Sequence, residues 1–143
     1  MTTELTAPSL LSWCQLLQPA GTETILPAGC RLADEHRAGR YCFLLLDGSA
    51  AAEAAGQPLA TFSAGSFIGS MDERGRPSPL RGITVRAIEP AHTLVLEARK
   101  LTVLLDSDRV LAAAWLRHKP AAGRPRWQQQ PQPRVPAMSR TAI

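Results

Sequence analysis

The feature that most constrains the fold is a series of short apolar or β-branched runs, separated by glycine-containing turns, in the middle of the chain. Each run has the length of a strand and falls short of a typical helix, and the glycines supply the positive φ angles of tight turns. Six strands are predicted: Thr22–Leu26, Tyr41–Leu46, Ser49–Glu53, Pro58–Phe62, Ile83–Ile88 and Thr93–Glu97. Many short strands at this spacing predict a mainly β fold, which is an antiparallel roll, barrel or sandwich.

Two local features bear on how these strands connect. Asp47-Gly48 lies between two apolar runs, a pattern typical of a β-hairpin, because both central residues of that turn need positive φ. The alanine-rich run Ala50–Ala55 favours a helix by intrinsic propensity. It is short and lies between two glycine turns, and we therefore predict a strand there.

Helical periodicity flanks the strands on both sides. On the N-terminal side, apolar residues recur at helical spacing from Leu10 to Leu17 after Ser9, a typical N-cap residue. On the C-terminal side, the spacing predicts a helical region, Leu101–Arg117, with Ser107 capping its second part. The sequence thus predicts one domain over residues 10–118.

The net charge of +4 is unevenly distributed along the 143 residues. Residues 119–143 contain five Lys and Arg and no acid, so the rest of the chain carries a net charge of −1. A nucleic-acid-binding face on the domain is therefore not predicted. The tail is rich in Pro, Gln and Arg, and we predict that it and residues 1–9 are disordered.

The cysteines and the N-terminus bear on the cellular compartment. Cys14, Cys30 and Cys42 are odd in number and fit no metal-binding spacing, which predicts free thiols in a reducing compartment. The chain begins without the basic and apolar segments of a signal peptide, and no apolar run reaches the length of a membrane span. We therefore predict a soluble cytoplasmic protein.

The segment from Ala64 to Ala87 carries the candidate chemistry. Ser70, followed three residues later by Glu73, forms a capping-box pattern, which predicts a short helical turn that begins at Ser70. Unpaired N–H groups at such a helix start favour anions. Arg81 follows just before a β-rich run, where a guanidinium can bind a phosphate bidentately. The pattern predicts a site for a singly charged phosphodiester.

This segment resembles the phosphate-binding cassette of cyclic-nucleotide-binding domains, as in bacterial catabolite activators and regulatory subunits of protein kinase A. Phe67-Ile68-Gly69 matches the opening of the cassette, and Arg81, Val85 and Ala87 match its close. The resemblance covers about residues 10–117 and implies an antiparallel double-stranded β-roll, jelly-roll-like, with short flanking helices. It implies a ligand-binding set for cAMP, cGMP or a related phosphorylated ligand: Phe67, Ile68, Gly69, Ser70, Arg81, Gly82 and Ile83.

The sequence departs from the family pattern at two residues of this set. The family's Glu after Gly69, which binds the ribose hydroxyl, is Ser70 here, and the family's small residue two after the Arg is Ile83. The loop Asp72–Leu80 is also longer than usual. These departures retain the phosphate half of the site and weaken its ribose half. Arg81 has a second interpretation, as a surface ion-pair partner of Asp72 or Glu73.

Two functions follow. The first is a non-catalytic regulatory domain that binds a cyclic nucleotide and shifts its C-terminal helices, Leu101–Arg117. The second is a ligand-free scaffold that acts through protein contacts, either on the same helices, as a homodimer or with another protein, or through the basic tail of residues 119–143. Direct DNA binding is not predicted, because the chain runs into Pro120 where family regulators carry a helix-turn-helix.

An enzyme of the metal-dependent cupin type is the third and least favoured hypothesis for the function. His36, His92 and His118 are far apart along the chain and form no His-x-His ligand set. No serine lies in a nucleophile-elbow pattern. We predict no catalytic residue and no metal. Trp115 is interpreted as a core or dimer residue, ahead of a role in stacking on a base.

Overall fold

The computed structural model of the chain describes residues 8–118, so the predicted terminal segments lie mostly outside it. The fold is mainly antiparallel β with short helices at both ends, which confirms the predicted β-roll class. The helices are α1 (Leu10–Leu17), α2 (Ala98–Ser107) and α3 (Arg109–His118), with a short 3-10 turn at Gln18–Ala20. The strands are β1 (Gly21–Leu26), β2 (Arg31–Ala33), β3 (Tyr41–Asp47), β4 (Ala50–Ala54), β5 (Gln57–Phe62), β6 (Phe67–Ile68), β7 (Ser70–Met71), β8 (Pro77–Ser78), β9 (Thr84–Ala87) and β10 (Ala91–Glu97).

The strands form two four-stranded sheets and a separate two-stranded hairpin. One sheet has the order β1-β10-β3-β6, and the other has the order β2-β9-β4-β5. All pairings are antiparallel, and β7 pairs with β8 alone. All six predicted strands are present, with ends within two residues of those predicted. The alanine-rich strand is confirmed as β4, because it is paired on both sides, with β5 and with β9.

The predicted hairpin at Asp47-Gly48 is wrong. The turn exists, and Gly48 has a φ of 95°, but β3 and β4 belong to different sheets, so the turn carries the chain from one sheet to the other. A Cβ atom on Gly48 would lie 2.6 Å from the Pro90 carbonyl oxygen, which excludes any side chain there. The two-residue hairpin is instead Ala55-Gly56, where both residues have positive φ, between β4 and β5.

The helices confirm one predicted cap and correct another. Ser9 caps α1, and its Oγ accepts a hydrogen bond from the Ser12 N–H at 3.1 Å. Ser107 does not cap the last helix, because its hydroxyl donates back to the Val103 carbonyl within α2. Asp108 takes this role, and its Oδ1 accepts from the Leu111 N–H at 3.0 Å. An Asp provides the same acceptor as a Ser, so sequence spacing did not distinguish the two residues.

Side chains of the first sheet alternate between two hydrophobic clusters. On β3, Cys42 and Leu44 face the helices, while Phe43 and Leu45 face the second sheet, as the twofold period of a strand requires. The helix-side cluster includes Trp13, Leu17, Leu94, Leu96, Leu101, Leu111 and Trp115. The cluster between the sheets, which we call the roll interior, includes Phe43, Leu45, Ala50, Ala52, Phe62, Ile68, Leu80, Ile83, Val85, Ala87 and Ala91.

Within residues 8–118, no helix is both long and apolar enough to cross a lipid bilayer. The predicted domain limits at residues 10 and 118 remain a prediction.

Candidate functional site

The predicted helical turn at Ser70 is wrong. Ser70 and Met71 form strand β7, which pairs with Pro77 and Ser78 of β8 to make a short hairpin. The Asp72 carboxylate closes the turn, and its Oδ1 accepts the backbone N–H groups of Arg74 at 2.8 Å and Arg76 at 2.9 Å. The capping-box pattern considers only Ser70 and Glu73. It does not account for Asp72, whose carboxylate accepts hydrogen bonds from backbone amides two and four residues later and so stabilises a turn in place of a helix.

The backbone hydrogen bonds also fix the charge of Asp72. The bond from the Arg76 N–H is the main cause that lowers the carboxyl pKa below its ordinary value, with a smaller contribution from Arg74. Asp72 is therefore ionised at neutral pH and engaged with the hairpin's own amides.

The opening residues of the cassette are core residues. The Phe67 ring packs edge-on against Trp115, with ring centroids 5.4 Å apart. Ile68, the next residue, points to the opposite side and is buried in the roll interior. Gly69 lies beneath the Phe67 ring, where a Cβ would come within 2.8 Å of it. The glycine is thus needed for close packing.

The closing residues of the cassette divide between interior and surface. Leu80 and Ile83 are 5% and 7% exposed and belong to the roll interior. Arg81 and Gly82 between them are exposed, and Gly82 has a φ of 71°. This bend at Gly82 turns Ile83 inward and leaves the Arg81 side chain outside the apolar cluster.

Of the seven predicted site residues, three are buried in the core and two are exposed. The buried residues are Phe67, Ile68 and Ile83, and the exposed ones are Arg81 and Gly82. Gly69 is buried in close packing, and Ser70 is half-buried in β7. Across residues 8–118, Arg81 makes no ion pair or side-chain hydrogen bond, so the predicted pairing with Asp72 or Glu73 is not observed.

The hairpin is joined to the C-terminal helices by contacts that sequence reasoning missed. Arg76 forms a two-point ion pair with Asp106 of α2, with nitrogen–oxygen distances of 2.9 and 3.1 Å. The Trp115 indole N–H of α3 donates to the Gly75 carbonyl at 3.2 Å. These partners lie 30 and 40 residues apart, and no local pattern signals them. We call these two contacts the hairpin clamp.

Side chains that suit a metal do not converge in the described part of the chain. No three His, Cys, Asp or Glu side chains between residues 8 and 118 are placed to hold a metal ion. Cys14, Cys30 and Cys42 are free thiols. Trp115 is buried and contacts Trp13 and Phe67, as the core interpretation predicts.

Comparison with known proteins supports the fold. No protein-family model matches the sequence, and no curated relative matches it. Among solved structures, the Thermus thermophilus catabolite activator protein aligns with a TM-score of 0.57 at 17% identity, over 80% of this chain and 55% of that one. A putative cyclic nucleotide-binding protein from Geobacter metallireducens aligns with a TM-score of 0.58 at 15% identity, over 77% of this chain and 81% of that one.

A third structure, cAMP-bound PfPKA-R, aligns with a TM-score of 0.53 at 19% identity, over 71% of this chain. The present chain spans only 40% of that protein's solved length. These alignments confirm that the chain has the cyclic-nucleotide-binding fold.

Proposed function

We propose that this chain is a non-catalytic regulatory domain whose β-roll is closed to cyclic nucleotides and whose work is protein contact through α2 and α3. The burial of Ile83 inside the roll carries this proposal. Ile83 stands where the cassette resemblance places a small residue beside the ligand, and its side chain packs among apolar neighbours such as Phe43 and Val85. The scaffold function is thereby favoured over the sensor.

The energetics of a nucleotide in the roll oppose binding. A nucleotide that entered the roll would bring its charged phosphodiester into the apolar cluster of the roll interior. A buried charge is costly unless it is paired and hydrogen-bonded. Displacing Ile83 and Leu80 would re-expose apolar surface, at about 1.5–3 kcal/mol for each side chain. Ser70 in place of Glu forgoes a charge-assisted bond worth about 1.5–3 kcal/mol. Each 1.4 kcal/mol weakens the dissociation constant about tenfold.

A cyclic-nucleotide sensor is the second candidate, and one observation favours it. Arg81 is exposed and has no ion-pair partner in the part of the chain that the structure describes. Gly82 beside it has a φ of 71°, and a glycine changes backbone conformation more readily than other residues. If Ile83 withdrew from the roll, space for a ligand would open beside Arg81. cAMP, which is bound in the PfPKA-R structure, and cGMP remain the predicted ligands of this alternative.

A melting-temperature screen with millimolar cAMP and cGMP separates the two candidates. The unmodified chain is expected to show no shift. The double variant Ser70→Glu/Ile83→Ala, which restores the family residues, is expected to gain a shift over its own ligand-free melting temperature. A specific ligand at a hundred times its dissociation constant stabilises by about 2.7 kcal/mol. Adding Arg81→Ala to the double variant should remove the gain.

The same screen can overturn the proposal. A shift in the unmodified chain that Arg81→Ala abolishes would establish a working phosphate site and favour the sensor. Circular dichroism of each variant keeps loss of the fold separate from loss of binding.

A further inference from the structure

The outer face of α3 carries cations and apolar groups together. We use this name for five residues that lie on one side of the helix: Arg109, Val110, Ala113, Leu116 and Arg117. Val110 is 69% exposed and Leu116 is 79% exposed, and both lie on the same side of the helix as the two arginines. A groove of about 410 Å³ borders this face, and its lining includes Val110 and Ala113 of the face together with Ala114, His118 and Pro8. The opposite side of α3 buries Leu111 and Trp115 in the core.

Within residues 8–118, the charge of this face is not compensated by an ion pair. The α3 sequence contains no acidic residue, and the two carboxylates that precede it in sequence are engaged elsewhere. Asp106 pairs with Arg76, and Asp108 accepts a backbone N–H at the start of α3. Neither Arg109 nor Arg117 has an ion-pair partner among the residues that the structure describes. The Cα atoms of Arg109 and Arg117 are about 12 Å apart along the helix axis, because each residue of an α-helix rises about 1.5 Å.

We infer that the outer face of α3 docks an acidic amphipathic helix of a partner protein. The inference rests on the proposed function, because it names the partner of the protein contacts assigned there. Val110, Ala113 and Leu116 provide the apolar strip that a partner helix covers. Ala113 lets the helices approach closely, and the two arginines select carboxylates on the flanks of the partner.

Charge argues against the other occupants. A second copy that docked symmetrically would place the arginines of one α3 near those of the other, with no acid on either helix to offset the repulsion. Two exposed aliphatic side chains give little area for insertion into a membrane. A nucleic acid would use the arginines but leave the apolar groove uncovered.

The test uses the full chain and a pair of designed helical peptides of about 18 residues. Both carry a Leu and Ala stripe, flanked by Glu in one peptide and by Lys in the other. The Glu peptide is expected to bind in a fluorescence-polarisation titration, and Arg109→Glu/Arg117→Glu should weaken it at least about tenfold, as expected for two charge pairs. The same variant should gain binding to the Lys peptide. Arg37→Glu/Arg40→Glu, an equal charge change at exposed residues of the roll, should leave Glu-peptide binding unchanged.

Three outcomes of the peptide titrations overturn the inference: no binding of the Glu peptide, equal binding of both peptides, and equal weakening by the two double variants. Light scattering that shows a dimer broken by Val110→Glu would assign the face to a second copy. Preferential binding of duplex DNA or of phosphatidylserine vesicles would assign it to those surfaces. A nucleotide-dependent melting shift with intact peptide binding would refute the closed roll and leave the docking face standing.

Discussion

Ile83 and Ile88 flank strand β9 and lie in opposite environments, 7% and 53% exposed. Ile83→Ala should lower the free energy of unfolding by about 2–4 kcal/mol, because it opens a cavity in the roll interior. Ile88→Ala makes the same chemical change at the surface and should stay within about 0.5 kcal/mol. Urea denaturation measures both. Equal, small effects would mean that the roll interior is loosely filled at Ile83 and would weaken the closed-roll proposal.

The three thiols should differ sharply in reactivity. Burial raises the pKa of Cys42 to about 12, and burial followed by the nearby Glu23 carboxylate raises that of Cys14. Cys30 is half-buried. The reactive species is the thiolate, and a raised pKa makes it scarce until the pH passes the raised value. Iodoacetamide at pH 8 to 9 should therefore label Cys30 first and leave Cys42 unmodified in the folded chain.

Mass spectrometry of the labelled chain measures this order, and labelling in urea provides the control in which all three thiols react. Labelling of Cys42 at the rate of Cys30 without urea would show that the helix-side cluster opens readily. The sign of the pH effect on stability follows from the same pKa. The Cys42 contribution to the free energy of unfolding is fully present below the unfolded thiol's pKa and is lost as the pH rises towards 12.

At the level of elements, the hairpin clamp connects the cassette to the C-terminal helices. Trp115→Phe keeps an aromatic ring against Phe67 but removes the indole N–H that donates to Gly75. A lost hydrogen bond of this kind should lower the free energy of unfolding by about 1 kcal/mol. The amides of the β7–β8 hairpin should exchange with solvent faster, because one of their two anchors to α2 and α3 is gone. Hydrogen exchange of the hairpin residues measures this.

Glu53→Ala is the matched control for this experiment. It removes an exposed ion pair with Arg86 in the second sheet, where it should leave exchange in the hairpin unchanged. Asp106→Ala removes the other contact of the clamp, and its exposed ion pair should be worth less than about 1 kcal/mol. Unchanged exchange in both Trp115→Phe and Asp106→Ala would show that the hairpin is held by its own turn around Asp72.

The sequence predicts the longer elements well and the short ones poorly. Strands such as β3 and β10 are signalled by apolar runs, and α1 is signalled by Ser9 and its period. The strands that were missed, β2, β6, β7 and β8, have two or three residues each, too few for a period to show. β2 and β6 depend on partners distant in sequence, as with Arg31 of β2 and Arg86 of β9, whereas β7 and β8 pair locally with each other.

The candidate site divides in the same way. The sequence predicted a cassette segment, and the alignments to cyclic-nucleotide-binding structures confirm the fold of the chain. It did not predict which of Arg81 and Ile83 turns inward, because that choice depends on the space left between the sheets. It placed a helical turn at Ser70, because the capping-box pattern does not include the competing local turn around Asp72, and because the ion pair between Arg76 and Asp106 is a tertiary contact. The predicted ligand-binding roles therefore stay predictions, to be decided by nucleotide binding.

On the scale of the whole molecule, the core residues and the excess positive charge lie mostly in different parts of the chain. The buried residues of both hydrophobic clusters lie between Trp13 and Trp115. Positive charge increases towards the C-terminus, because residues 109–143 contain seven Lys and Arg and no acid. The outer face of α3 thus begins a stretch of sequence rich in basic residues. An acidic partner helix on α3 would gain long-range attraction from that stretch, which speeds association and makes it sensitive to salt.

A chain that ends at His118 tests whether folding and charge are separable in this way. We expect its melting temperature to stay within about 2 °C of the full chain's, because both clusters are retained and a change of 1 kcal/mol would shift it by several degrees. Its net charge falls from +4 to −1, since residues 119–143 hold five cations and no acid, and it should lose retention on a cation exchanger at pH 7. A melting temperature lower by about 5 °C or more would show that the removed residues pack on the fold, and the Glu-peptide titration repeated on the shortened chain would then show whether they also cover the outer face of α3.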